Sequence, residues 1–104
     1  MTADAIRSLL LSKYLLGTRE IMIVNHTDCG LMLASEQDLR TQIQNRAGTD
    51  AVSPAFFYAF KNVDENVRQQ LQKLSSHPWI PDSIVVRGFV YDVSNGRLRE
   101  VTQS

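Results

Sequence analysis

The chain has 104 residues, 43% of them hydrophobic and 21% charged, which is typical of a small globular domain and excludes a disordered segment. Its 11 basic and 11 acidic side chains cancel, so no excess positive charge draws it to nucleic acid or to anionic lipid. The longest apolar run is too short for a membrane span, and no signal-peptide pattern opens the chain. The single cysteine, Cys29, allows no internal disulfide and favours a cytoplasmic location. We therefore predict one cytoplasmic domain over residues 1–104.

Helix-start and helix-stop signals predict a first and a last long helix. Thr2 is a candidate N-cap and Gly17 a candidate C-cap, which leaves about four turns of helix between them. Asn62 is a candidate N-cap of the last helix, which should end before Pro78. The apolar residues at helical spacing, expected to face inward, are Ile6, Leu9, Leu10 and Tyr14 in the first helix and Val67, Leu71 and Leu74 in the last.

A further helix is expected between these two. Ser35 followed by Asp38 resembles a capping arrangement and predicts a helix that continues through Asn45. Residues 31–33 suggest a short helical turn, and residues 52–60 are aromatic-rich and contain a proline, which limits regular structure. The inward-facing positions of this middle helix should be Leu39 and Ile43.

Two apolar segments predict strands. The run Ile21–Val24 has no polar face and is typical of a strand buried on both sides. The run from Ser83 to Asp92 is also strongly β-forming, and a Ser-Asn-Gly turn joins it to an alternating segment, Arg97–Thr102, typical of an edge strand. The element order predicts an α/β fold with a mixed, mainly parallel sheet and flanking helices. Because a central strand needs neighbours that this chain does not supply, we expect another chain or further sequence beside Ile21–Val24.

The candidate functional site follows the first strand, where ligands bind in α/β sheets. His26 and Cys29, three residues apart on a turn, could place an imidazole nitrogen and a thiolate on one zinc ion. Gly30 would let the backbone pass close to that ion. Asp28 is a weak candidate for orienting His26 or contacting solvent near the metal. Since a zinc site needs three or four ligands, a turn histidine, a buried thiol and an ordinary turn aspartate remain the alternatives.

These residues also carry a family resemblance. The stretches Asp4–Leu9, Leu15–Ile21 and His26–Gly30 resemble the middle of a β-class carbonic anhydrase. The tail Arg87–Val93, with the following Asn95–Leu98, resembles the end of the same family. The resemblance therefore extends over nearly the whole chain, and its His-x-x-Cys-Gly element is fairly specific in that context.

The resemblance implies an α/β sheet covered on both faces and a zinc ion, with His26 and Cys29 as two of three protein ligands. It implies reversible hydration of carbon dioxide to bicarbonate, in which zinc lowers the pKa of a bound water to about 7. It also implies dimers or larger assemblies, so self-association is expected.

One departure from the family limits these expectations. The family's Cys-x-Asp-x-Arg element supplies the third ligand and an Asp–Arg pair, and it precedes the part of the pattern with which this chain starts. The family's two earliest strands belong to the same part. We therefore expect a partial domain with impaired or absent activity and partial or absent zinc occupancy.

Three alternatives stay open at this point. Related enzymes on this fold hydrolyse carbon disulfide or carbonyl sulfide. A truncated relative could instead act as a non-catalytic oligomerisation or interaction module. Two copies could also share one zinc ion through a His₂Cys₂ site. The aromatic side chains expected in a substrate channel, a subunit contact or the core are Phe56, Phe57, Tyr58 and Phe60.

Overall fold

The computed structural model describes residues 1–32, 34–51 and 56–102. In chain order the elements are α1 (Ala3–Leu16), β1 (Glu20–His26), a 3-10 turn (Gly30–Met32), α2 (Glu36–Ala47), α3 (Val63–Ser75), β2 (Val85–Asp92) and β3 (Arg97–Val101). This order confirms the predicted α/β class. Two expectations fall partly outside the described residues: the helical turn at Leu33 and the irregular stretch at 52–55.

Side-chain caps start all three helices where the sequence predicts them. At each start a side-chain oxygen accepts a hydrogen bond from the backbone N–H three residues further on, at 3.0–3.2 Å. The capping residues are Thr2, Ser35 and Asn62. Gly17 and Gly48 end α1 and α2 in the left-handed conformation, with φ of 75° and 70°, which glycine adopts without steric cost. The boundaries of these helices therefore follow from local chemistry alone.

The three strands form a mixed sheet in the order β1-β2-β3, with β1 parallel to β2 and β2 antiparallel to β3. Ile21 and Ile23 of β1 are buried, whereas Met22 and Val24 are 59% and 48% exposed. The prediction of a strand buried on both faces is therefore wrong for these two residues. In the part of the chain that is described, β1 has β2 as its one neighbour, which agrees with the expected shortage of neighbouring strands.

The hydrophobic core lies between α3 and one face of the sheet. Val67, Leu71 and Leu74 are buried there, as predicted, against Ile21 and Ile23. Among the described elements α3 is the one helix that packs closely on the strands. The cover on both faces that the resemblance implies is therefore not found within residues 1–32, 34–51 and 56–102.

The helices α1 and α2 lie at the periphery of this core. Neither contains a buried residue, and the radius of gyration is 16.1 Å, against about 13 Å for a compact chain of this length. Leu9 and Leu10 do touch the core, but Tyr14 and Ile43 are exposed, so the prediction that they face inward is wrong. Exposed apolar residues on peripheral helices are typical of a surface that packs against another chain or segment.

Candidate metal centre

The predicted site lies at the carboxyl end of β1, on a turn that is fixed to the neighbouring strand. The Thr27 N–H donates a hydrogen bond to the carbonyl oxygen of Tyr91 at 2.9 Å. The Thr27 Oγ1 accepts one from the Val93 N–H at 3.1 Å. Both bonds hold the turn against the end of β2, so the residues on it project from the edge at which α/β sheets bind ligands.

His26 is oriented by its own turn. Its Nδ1 lies 2.8 Å from the carbonyl oxygen of Thr27, and because a carbonyl can only accept, Nδ1 is the donor. In the neutral ring the Nε2 lone pair is then free for a ligand. A hydrogen bond from the second ring nitrogen to a carbonyl is the usual support of a metal-binding histidine. This hydrogen bond leaves Nε2 available, so the orientation of His26 is compatible with a metal ligand.

Asp28 has a backbone φ of 55°, in the left-handed region where aspartate is enriched among residues other than glycine. Its side chain is exposed. Turn chemistry therefore accounts for an aspartate at this position without any role toward the metal. A contribution of Asp28 to the site stays a prediction.

His26 and Cys29 line one open cleft of about 250 Å³. Cys29 is a free, half-buried cysteine, and the 3-10 turn that follows it begins at Gly30. The structure thus brings the two sequence-predicted ligands to the same space. The other lining residues are Met1, Val24, Asn25, Leu31, Tyr58, Phe60, Asn66 and Gln70.

Two amide side chains on α3 enter this cleft and were missed by sequence reasoning. The Gln70 Nε2 donates to Asn66 Oδ1 at 3.5 Å, while the buried Gln70 Oε1 has no hydrogen-bond partner among the described residues. A buried acceptor without a donor is costly, so a hydrogen-bond donor from a further group in the cleft would stabilise it. The available signal was the i,i+4 spacing of these amides beside the apolar face formed by Val67 and Leu71.

The aromatic wall of the cleft is held by a carboxylate. Glu36 of α2 accepts hydrogen bonds from the backbone N–H groups of Phe57 at 3.0 Å and Ala59 at 2.7 Å. These N–H groups hold the pKa of the Glu36 carboxyl below its usual value of 4.5, because they stabilise the charged form. Tyr58, which they flank, has a left-handed φ of 61° and is exposed. This exposure does not agree with a place for Tyr58 in the core, whereas a role in a substrate channel or a subunit contact stays a prediction.

The two hydrogen bonds that Glu36 accepts from the Phe57 and Ala59 N–H groups should weaken in acid. Because the folded pKa of Glu36 lies below 4.5, its contribution is complete above that pH and is lost as pH falls through the folded pKa. Glu36→Gln should lower the hydrogen-exchange protection of the Phe57 and Ala59 amides at neutral pH, as acid does in the unmodified chain. Glu65→Gln, at an exposed carboxylate on α3, is the control and should leave both amides protected. Equal protection in all three proteins would show that Glu36 does not stabilise these two backbone amides.

The donors present fit zinc in kind but not in number. An imidazole nitrogen and a thiol are ligand types that zinc prefers, and an open cleft leaves room for the ion. In the described ranges, no cluster of three or more His, Cys, Asp or Glu side chains that could hold a metal is found. Among residues 1–32, 34–51 and 56–102, the cleft therefore offers two candidate zinc donors, His26 and Cys29. In the same ranges, no helix combines the length and the apolar character needed to cross a membrane.

Comparison with known proteins finds relatives of this chain. No family model matches the chain, but curated relatives do. Beta-carbonic anhydrase 1 of Mycobacterium tuberculosis is 41% identical over 103 residues, which are 98% of this chain and 61% of that protein. A carbon disulfide hydrolase of Acidithiobacillus thiooxidans is 33% identical over 118 residues, covering 98% of this chain and 54% of that protein.

The fold agrees with these relatives. The crystal structure of a carbonic anhydrase from Streptococcus mutans superimposes with a TM-score of 0.91 and 38% identity, over 98% of this chain and 61% of that one. The chain thus spans about three fifths of the length of the relatives that it matches. Nearly all of this chain is therefore similar to about three fifths of a β-carbonic anhydrase, as expected of a partial member of that family.

Proposed function

We propose that this chain carries His26 and Cys29 as two protein ligands of a zinc ion that serves the reversible hydration of carbon dioxide to bicarbonate. The proposal is carried by one observation: both side chains line the same cleft, and the imidazole is held with Nε2 free to bind. The similarity to β-carbonic anhydrases supports the choice of reaction. A bound zinc ion would supply a water whose pKa is lowered to about 7.

The residues of the chain would have distinct tasks at such a site. His26 would bind through Nε2 and Cys29 through its thiolate, while Gly30 keeps the following backbone free of a side chain. The apolar part of the cleft wall suits carbon dioxide, a small molecule without a dipole, and keeps bulk water from part of the space. That wall includes Val24, Leu31, Tyr58 and Phe60.

The proposal includes weak metal binding and low activity for this chain alone. Two protein ligands bind zinc less tightly than three, because each missing ligand removes direct coordination. The chain also lacks a Cys-x-Asp-x-Arg sequence, as its single cysteine is followed by Gly30 and Leu31.

Stopped-flow measurement of carbon dioxide hydration tests the reaction directly. The zinc-loaded chain should accelerate hydration above the same concentration of free zinc, and His26→Ala should remove the difference. His77→Ala is the matched control: His77 is the other histidine and accepts a hydrogen bond from the Trp79 N–H, away from the cleft. Zinc binding without any acceleration would contradict the catalytic part of the proposal.

Two further functions have observations in their favour. The carbon disulfide hydrolase relative at 33% identity supports a carbon disulfide or carbonyl sulfide substrate, for which release of sulfide would be the assay. The exposed side of β1, which has no neighbouring strand among the described residues, supports a non-catalytic module that self-associates. Zinc binding without turnover of any of these substrates, together with a stable dimer in sedimentation, would favour that module.

A further inference from the structure

One carboxylate of α2 holds the segment 57–60, which forms the aromatic side of the candidate cleft. The Glu36 Oε2 accepts a hydrogen bond from the Phe57 N–H at 3.0 Å, and its Oε1 accepts one from the Ala59 N–H at 2.7 Å. These two bonds lie on either side of Tyr58 in the sequence. Both oxygens of a single side chain therefore fix the backbone around that tyrosine.

Tyr58 has a backbone conformation that needs such support. Its φ of 61° lies in the left-handed region, where the Cβ of an L-residue crowds the following carbonyl oxygen. A tyrosine persists there only where surrounding contacts hold it. Without them, relaxation to the allowed regions at negative φ would rotate the backbone by roughly 120° or more. The direction in which the Tyr58 side chain points therefore depends on the bonds to Glu36.

The same segment is also attached to the turn that follows the candidate ligands. The Phe60 N–H donates to the Leu31 carbonyl oxygen at 3.2 Å, and Leu31 lies in the 3-10 turn directly after Cys29. Two side chains of the segment, Tyr58 and Phe60, line the cleft that contains both candidate ligands. The conformation of the segment thus decides how much room remains beside those ligands.

Glu36 is placed to stay charged and to act on the cleft rather than on the core. It is the first residue of α2, where the partial positive charge of a helix N-terminus favours a carboxylate. Arg40, one turn further on, stabilises the same charge, and its guanidinium lies 5.2 Å from the centre of the Phe57 ring. α2 contains no buried residue, and among the described elements it does not pack on the strands. Loss of the Glu36 carboxylate should therefore change the cleft while leaving the core intact.

We propose that Glu36 is a positioning residue for the candidate metal centre: by fixing Tyr58, it keeps the cleft narrow enough to admit small ligands and to exclude large ones. Glu36 is not among the described residues that line the cleft, so its effect passes through the segment 57–60. A molecule as small as carbon dioxide needs little room beside the proposed zinc ligands. The inference rests on the proposed function for the identity of that ligand and adds a residue that controls its access.

Modification of Cys29 by reagents of two sizes tests this control of access without any metal. Cys29 is the single cysteine of the chain, so every modification reports on the cleft. Glu36→Gln should raise the rate of labelling with a fluorescein maleimide by about fivefold or more, since a hydrogen bond to a charged group is lost. The rate with iodoacetamide, a small reagent, should change by less than about twofold. The ratio of the two rates is the readout, because both reagents react with the thiolate and a changed thiol pKa cancels from it.

Two further variants separate this effect from other causes. Asp38→Asn removes a negative charge from the same turn of α2 and should leave the ratio unchanged. In a Tyr58→Gly background the side chain that limits entry is gone, and glycine needs no support at a left-handed φ. Glu36→Gln should then change the ratio by less than about twofold, because the two residues act as one unit. General destabilisation would raise both rates together and leave the ratio as it was.

Three results would overturn the inference: an unchanged ratio in Glu36→Gln, an equal rise in Asp38→Asn, or the full effect of Glu36→Gln in the Tyr58→Gly background. The proposed function fails separately, by the absence of zinc binding or of hydration in the unmodified chain. A raised ratio without zinc binding would keep Glu36 as the residue that sets the width of the cleft. Zinc binding with an unchanged ratio would remove the role of Glu36 alone.

Discussion

Gly88→Ala should destabilise the fold by about 1–3 kcal/mol, the usual cost of forcing an extra methyl into a packed core. Gly88 faces α3 from the middle strand of the sheet, and a Cβ there would lie 2.5 Å from Val67 Cγ1 and 2.9 Å from Leu71 Cδ1. Both neighbours are buried, with 0% and 4% exposure, so neither can move into solvent to make room. The change should appear as a lower midpoint of urea denaturation, followed by far-ultraviolet circular dichroism.

A double-mutant cycle separates overpacking from a general effect of replacing glycine. Val67→Ala removes the methyl group that an alanine at position 88 would meet, at the cost of a cavity. In the double variant the new methyl fills that space, so its loss of stability should be smaller than the sum of the two single losses by more than about 0.5 kcal/mol. Strict additivity would mean that the close approach of α3 to β2 does not limit residue 88.

The sequence was sufficient for those parts of the fold that depend on local chemistry. Thr2, Ser35 and Asn62 cap their helices because a short polar side chain reaches the backbone N–H three residues on. The buried face of α3 follows from helical spacing, because Val67, Leu71 and Leu74 are four and three residues apart and so lie on one face of the helix.

The sequence was insufficient where burial depends on what lies beside an element. Met22 and Val24 are as apolar as Ile21 and Ile23, yet only the latter pair is covered by α3. Tyr14 of α1 has helical spacing toward the core but donates its hydroxyl to the Trp79 carbonyl oxygen at 2.7 Å on the surface. Composition shows that a residue prefers burial; it does not show whether the chain itself provides the cover.

The candidate site also has one part that the sequence predicts and one part that it does not. The local signal, an imidazole and a thiol three residues apart after a strand, pointed to residues that line one cleft. The opposite wall, with Gln70 and Tyr58, comes from segments far along the sequence and depends on the packing of α3 and of residues 56–60. Glutamine and tyrosine side chains are also common on surfaces without any binding role, so no spacing rule identifies these two as part of a site.

Removal of either proposed ligand should lower zinc affinity more than about 100-fold, which is the upper end of the effect of losing an outer-shell partner. Cys29→Ala leaves only the His26 imidazole as a proposed ligand, and His26→Ala leaves only the Cys29 thiolate. His77→Ala should bind zinc as the unmodified chain does, since His77 lies in the loop after α3 and bonds the Trp79 N–H. Equilibrium dialysis with a competing chelator would give these affinities.

Cobalt(II) adds a spectroscopic check on which atoms bind. The cobalt-loaded chain should show thiolate-to-metal charge-transfer absorption that disappears in Cys29→Ala, survives in His77→Ala and falls with decreasing pH as the ligands are protonated. Stoichiometry then decides between two assemblies. A site in each separate cleft gives about one metal per chain, whereas a His₂Cys₂ site shared by two copies gives about half. Absence of the charge-transfer band from the unmodified chain would exclude Cys29 as a ligand and, with it, the zinc site proposed for this fold.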